Sequence, residues 1–182
     1  MDIRYKIEFF SNWHCGSGLA AGADVDALVV KDAKGLPYVP GRTIKGLLRE
    51  AACELCGDDI LISKIFGLSG NKKPMNPGDI RTGTSFFGNA TLTEGAAIVS
   101  ANLVSHLFQT FASTRIDECS GIAKDNTLRK IETVVPCTLE GEIRNVPEEG
   151  EEVLRKAMQL IKRMGTGRNR GYGRCCISPV SK

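Results

Sequence analysis

The chain has 182 residues, 42% hydrophobic and 25% charged, with a formal net charge of +3. That length makes one domain the default, and the composition is that of a globular protein. No apolar run approaches the ~20 residues of a membrane span, and the modest charge alone does not argue for nucleic acid. The distribution of charge says more, because residues 155–174 hold seven Lys or Arg and no acid while residues 140–152 hold six acids against one Arg. A basic patch is therefore compatible with a mild overall charge. Seven cysteines, an odd number with no secretory signal, fit free thiols in a reducing compartment, hence a cytoplasmic, non-membrane protein.

In chain order, residues 1–10 alternate, with Ile3, Tyr5, Ile7 and Phe9 against Arg4, Lys6 and Glu8, the pattern of a strand buried on one side. Residues 11–24 (SNWHCGSGLAAGAD) form a long loop of small residues carrying His14, and long loops in compact domains are commonly functional. Residues 26–30 read as a short strand and 31–35 as a turn. GLPYVPGRTIKGLLRE (35–50) is turn punctuation around Tyr38 and Val39, followed by an amphipathic helix. Ile44, Leu47, Leu48, Ala51 and Leu55 make its apolar stripe, and Arg42, Lys45 and Arg49 lie on another face. Cations just after a Pro-Gly turn join the positive end of the helix dipole, which suits a polyanion, although a solvated basic face reads the same way. Gly46 inside the helix costs about 1 kcal/mol against Ala and so points to a close approach by another backbone. Cys53 and Cys56 form a CxxC with no second pair at metal spacing, and no structural metal is predicted.

A second helical piece spans 58–66. Residues 67–84 (GLSGNKKPMNPGDIRTGT) read as a mobile insertion loop, 85–92 as a strand, and 96–111 fits helix or strand. Residues 113–136 are extended and of mixed charge, the look of a long hairpin arm, and 133–143 are strand-like. A further amphipathic helix covers 148–164, with Val153, Ala157, Leu160, Ile161 and Met164 as its stripe and Gly165 as its stop. GTGRNRGYGR and a last strand at 175–177 close the chain. This order suggests one α+β domain with a ferredoxin-like (RRM-like) sandwich. The aromatic signature of RNA-recognition strands is missing, so base stacking on the sheet is not supported.

GTGRNRGYGR (165–174) is the most specific local signal. Its glycines let a backbone lie close to a ligand, Arg168, Arg170 and Arg174 offer forked donors for phosphates, and Tyr172 can stack. The loop follows a helix and enters a strand, unlike nucleotide loops of the GxGxxG and Walker types, which follow a strand and open a helix. A backbone-binding loop for nucleic acid is the better reading than a solvated turn. Asp24, Asp26 and Asp32 could hold Mg²⁺ or act as a base, but taken alone they are turn and solubility residues. His14 could be an acid or base, or a hydrogen-bonding loop residue.

The ordered set HCGSGL (14–19), DALVVKD (26–32), GLPYVPGRTIKGLLRE (35–50), STRIDECSGIAKDNTLRKIETVVP (113–136) and MGTGRNRGYGRC (164–175) resembles the RAMP superfamily. More narrowly it is similar to the backbone subunit of type III CRISPR effector complexes. The resemblance implies a palm with an inserted β-hairpin thumb at 113–136 and partners in CRISPR RNA, target RNA, copies of itself and other effector subunits. The RNA-binding residues it implies are His14, Arg42, Lys45, Arg49, Arg115, Lys124, Arg129, Arg168, Asn169, Arg170 and Tyr172. It further implies an antiviral ribonucleoprotein in which Asp26 matches an aspartate needed for metal-dependent endoribonuclease cleavage of target RNA, as base or through Mg²⁺ or another divalent cation. Asp24 lies close enough that a shift of alignment would move the role to it. The rival readings are a non-cleaving structural RNA-binding subunit of the same complex and a CRISPR RNA-processing endoribonuclease using His14.

Overall fold

The computed structural model describes residues 1–22, 24–68 and 82–180. In chain order its elements are β1 (Ile3–Phe9), β2 (Tyr38–Val39), α1 (Gly41–Leu55), α2 (Asp59–Phe66), β3 (Phe86–Phe87), β4 (Ala90–Leu92), α3 (Gly95–Ser100), β5 (Phe108–Ser113), β6 (Arg129–Val134), β7 (Thr138–Arg144), α4 (Glu151–Leu160) and β8 (Cys175–Pro179). The alternation in β1 works as expected: Ile3, Tyr5, Ile7 and Phe9 are buried, and Arg4 and Glu8 are exposed on the other face. β1 lies inside a sheet of order β2-β4-β7-β1-β8, with β3 also on β7 and every pairing antiparallel. A separate antiparallel pair, β5 with β6, projects as a hairpin. The protein is thus mixed α/β with antiparallel sheets.

α1 and α4 pack on each other and on the buried face of the sheet. Ile44, Leu48, Ala51 and Ala52 of α1 meet Leu154, Ala157 and Met158 of α4 in one core with Leu139, Ile143 and Ile177. Burying a Leu or Ile side chain contributes about 1.5–3 kcal/mol, so these two stripes fix the helices more than intrinsic propensity does. α2 starts where its cap requires, since Asp58 Oδ1 accepts the N–H groups of Ile60 and Leu61 at 3.0 and 3.1 Å.

Several boundaries differ from the sequence reading. α4 ends at Leu160 because Ile161 is extended, and Arg163 then pairs with Arg174. Ile161 and Met164 are buried as extended chain rather than as a helical stripe, whereas Leu160 is exposed and Leu154 and Met158 take the core positions. The ambiguous stretch 96–111 divides into α3, a 3₁₀ turn (Val104–Leu107) and the start of β5. The hairpin therefore begins at Phe108 and ends at Val134, and β7 is a separate strand after Pro136. Residues 26–30 form no regular strand; Ala27 and Val29 make single bridges to Ile131 and Gly16. The predicted 85–92 strand breaks into β3 and β4 at Gly88 and Asn89. Of the predicted insertion, Gly67 pairs with Thr82 and Thr84 N–H donates to the Lys64 carbonyl at 2.8 Å, while residues 69–81 lie outside the described residues.

The close backbone approach in α1 lies at Gly41 and not at Gly46. A Cβ on Gly41 would overlap the Phe87 carbonyl, and its N–H donates to Asn89 Oδ1 at 2.9 Å; Gly46 faces open space. In urea unfolding, Gly46→Ala is expected to stabilise the free chain by about 1 kcal/mol, and Gly41→Ala to destabilise it by about 1–3 kcal/mol. The reverse order of midpoints would refute this placement of α1.

Candidate nucleic-acid interface

The arginine-bearing loop (165–174) is held by its glycines. Gly165 and Gly173 have φ of +87° and +67°, and a Cβ would overlap the His14 carbonyl at the first and the Met164 carbonyl at the second. Through these contacts Thr166 N–H donates to the His14 carbonyl at 2.9 Å, Gly173 N–H to the Asn12 carbonyl at 2.8 Å and Met164 N–H to the Gly173 carbonyl at 2.9 Å. Left-handed Gly167 and Gly171 bracket one 3₁₀ turn, Arg168–Arg170, which presents Arg168, Asn169 and Arg170 to solvent. The loop is thus clamped to the chain leaving β1.

Tyr172 lies against Gly167 and meets the edge of Phe111 at 5.8 Å between ring centroids, so it joins this loop to β5. The hairpin register places Phe111 opposite Ile131 and Ser113 opposite Arg129, on the face towards the loop. Between them lies a cleft of about 640 Å³. A second, of about 520 Å³, is lined by Arg115, Arg129, Arg170 and the side chains of Thr114, Asn126 and Thr127. Ser113, Arg129 and Arg170 line both, so the two are continuous. Four guanidinium groups, of Arg115, Arg129, Arg168 and Arg170, border this surface, and among the described residues no carboxylate lines it. Among the described residues none of the four forms an ion pair. Uncompensated forked donors around a groove are a site for phosphate oxygens.

Other basic residues are placed differently. Arg155 and Lys156 are paired with Glu151 and Glu152 along α4, at 2.8 and 2.6 Å. Arg42 is exposed and Lys45 and Arg49 are half-buried on α1, and they line neither cleft. The helix N-terminus is docked on Gly88 and Asn89. Lys124 is tied to Asp117 at 3.4 Å in the turn of the hairpin. Asp117 accepts the N–H groups of Ser120 and Cys119, both at 3.1 Å, and the Ser120 hydroxyl at 3.2 Å. These bonds, with the Lys124 ammonium, hold its carboxyl below the ordinary value.

Asp26 is exposed and sits beside β6. Its Oδ2 accepts the Lys130 N–H at 2.7 Å and its own N–H donates to the Lys130 carbonyl at 2.8 Å, which places it next to Arg129. Oδ1 accepts no hydrogen bond from the described residues. Asp24 is exposed, and its N–H donates to the Ala21 carbonyl at 3.2 Å. His14 is 3% exposed, and its Nδ1 donates to the Glu132 carbonyl at 2.6 Å. A carbonyl can only accept, so the proton is on Nδ1. Cys53 is exposed and Cys56 half-buried, both as free thiols. Among the described residues, no three His, Cys, Asp or Glu side chains group to hold a metal, and no helix is long and apolar enough to cross a membrane.

Sequence reading missed Phe111, Ser113, Thr127 and Ile131 in the cleft. For Phe111, Ser113 and Ile131 the alternation of the hairpin strands is the signal, readable once the register is known, and Thr127, before β6, carries none. It also left Glu132 without a role.

The RAMP superfamily model matches residues 6–176. No curated protein matches the sequence. The fold is similar to that of a chain in the cryo-EM structure of the type III-B Cmr-beta bound to cognate target RNA, with a TM-score of 0.76 at 10% identity over 98% of this chain and 97% of that one. It is also similar to a chain of the type III-B Cmr-beta in its apo state, with a TM-score of 0.74 at 11% identity over 100% and 98%.

The Asp117 turn gives a pH test. A carboxyl whose folded pKa is lowered stabilises the turn above the ordinary value of about 4. That contribution fades as pH falls through the lowered value. Amide exchange at Cys119 and Ser120, corrected for intrinsic rates, should rise on acidification below about pH 4, and Asp117→Ala should raise it already at neutral pH. Protection indifferent to both would show that Asp117 does not organise the tip.

Proposed function

We propose, since the chain belongs to the RAMP superfamily, that it is a CRISPR RNA-binding filament subunit of a type III effector complex that also cleaves complementary target RNA. The observation that carries this reading is the continuous cleft with four arginines that, among the described residues, meet no ion-pair partner and no carboxylate. In this reading the whole chain is a single RAMP domain with an insertion at 67–84. The order β8-β1-β7-β4 with α1 and α4 is a ferredoxin-like palm. The β5–β6 hairpin is the thumb, its reach at 113–136. Its partners are CRISPR RNA, target RNA, further copies of the chain and other effector subunits, and free thiols suit a reducing cytoplasm. Arginines and loop backbone bind phosphates without reading bases, so base pairing supplies specificity.

Asp26 is the cleaving residue in this reading. Lys130 N–H holds one carboxylate oxygen, which leaves the other to take the proton of a ribose 2′-OH as its oxygen attacks the adjacent phosphorus and the 5′-oxygen leaves. In the alternative role that same oxygen would not act as base but would hold a divalent cation such as Mg²⁺, which takes one or two carboxylates plus phosphate oxygens and water. Such an ion would polarise the phosphate oxygens.

The rival of a non-cleaving structural subunit rests on a specific observation, the double backbone bond to Lys130, which alone accounts for an aspartate at this position. A processing nuclease using His14 has least support, because that ring is buried and its Nδ1 is committed to Glu132.

In the assembled complex, Asp26→Ala is expected to slow target cleavage by about 10²-fold or more with guide RNA retained. Wild-type cutting would remove Asp26 as the cleaving residue and leave Asp24 or a structural subunit. Arg129→Ala and Arg170→Ala are each expected to weaken RNA binding by the isolated chain and to flatten the log–log salt dependence by about 0.7 for each phosphate no longer neutralised. An unchanged slope would remove the cleft from the RNA path.

A further inference from the structure

The segment DALVVKD (26–32) contains two residues, Val29 and Lys31, that the cleavage reading leaves unused. In the fold both serve one carboxylate. Glu132 Oε2 accepts the Val29 N–H at 3.0 Å and Oε1 accepts from the Lys31 ammonium at 2.8 Å. The main chain of Glu132 is committed to the same junction: its N–H donates to the Ala27 carbonyl at 3.0 Å, and its carbonyl accepts from His14 Nδ1 at 2.6 Å. Lys31 Nζ also stands 3.9 Å from the centroid of the Phe108 ring on β5. The Glu132 side chain is 13% exposed and that of Lys31 34%, so the carboxylate is largely shielded while the ammonium reaches solvent. Two residues earlier on β6, Lys130 holds Asp26 through both its main-chain groups. Asp26 thus stands where the register of residues 26–31 on β6 puts it.

We propose that Glu132 and Lys31 are positioning residues, a latch that fixes the 26–31 segment on the hairpin and so sets where the Asp26 carboxylate meets the bound strand. The inference rests on the reading of Asp26 as the cleaving residue. Its physical basis is the shielding of the Glu132 carboxylate, whose one charged partner among the described residues is Lys31. Removing the cation leaves a carboxylate charged and unpaired, and the junction must loosen to hydrate it. The bridge of Ala27 with Ile131 is too short to hold the register alone. Arginine at position 31 keeps the charge and can stack on Phe108, so it should preserve the latch, whereas methionine keeps only the stem.

The test uses complexes assembled with Lys31→Met, Lys31→Arg and Glu132→Ala, followed by amide exchange at Val29 and Lys130 and by single-turnover cleavage at saturating target. Lys31→Met and Glu132→Ala are expected to raise exchange at both amides by about tenfold and to slow cleavage by about tenfold to a hundredfold, with guide occupancy unchanged. Lys31→Arg should restore both. Should Glu132→Ala fail to assemble, the Lys31 pair decides. Wild-type protection of Val29 and Lys130 in Lys31→Met would overturn the latch, as would wild-type cleavage despite loosened amides or an arginine variant as impaired as methionine. If Asp26→Ala itself cuts normally, the cleavage reading falls and exchange alone judges the latch.

Discussion

The contact of Gly165 and Gly173 with main chain is the constraint on which the rest of the interface depends. Side chains at these positions would overlap the carbonyls of His14 and Met164, so only glycine lets the loop close onto the segment leaving β1. Once closed, the loop carries its arginines on one short turn opposite the hairpin. Phe111 and Tyr172 then join the two walls. The sequence suggests glycines cleared for a ligand; most of that clearance is used to bring two parts of the chain together. The ligand-facing consequence is indirect, because a rigid loop holds its guanidinium groups in place before anything binds.

Electrostatics follow from which charges are left unpaired. The basic run at 155–174 and the acidic run at 140–152 overlap in space along α4, where Glu151 and Glu152 neutralise Arg155 and Lys156. Helix periodicity pairs them four residues apart, so this part of the basic run contributes little field. The arginines beyond the helix have no such neighbours. A net charge of +3 therefore conceals a cleft whose lining is positive and free of acids. Phosphate binding is decided by that local imbalance.

Much of this was legible in the residues, and the failures have physical causes. The apolar stripe of β1, that of α1 apart from the exposed Leu55, and the arginine-rich loop depend on local periodicity and local chemistry, and they were readable. The end of α4 was not. Ile161 falls four residues after Ala157 and Met164 four after Leu160, yet both are buried as extended chain, because Arg163 and Met164 pair with Arg174 and Gly173. Gly46 was misassigned for a similar reason: a sequence shows a glycine but not which one faces another backbone. Glu132 was invisible because its partners lie about a hundred residues away, at Val29 and Lys31.

The sheet itself argues for where a strand of RNA would run in the proposed function. RNA-recognition modules of this topology stack bases on aromatics of the open sheet face. Here that face sets Arg4 opposite Glu142 and Lys6 opposite Glu140 across β1 and β7, and its exposed ring, Phe86, lies under the Arg144 guanidinium at 5.2 Å. The ion pairs there, Lys6 with Glu8 at 3.9 Å and Arg144 with Glu142 at 2.8 Å, leave the face little net positive charge. The usable donors have moved to the end of the sheet, where the loop before β8 meets the hairpin beside β1. A groove built from guanidinium groups and loop backbone binds the ribose-phosphate chain and is indifferent to sequence. It leaves base edges uncontacted, which a subunit must do if the guide it carries is to pair with a second strand.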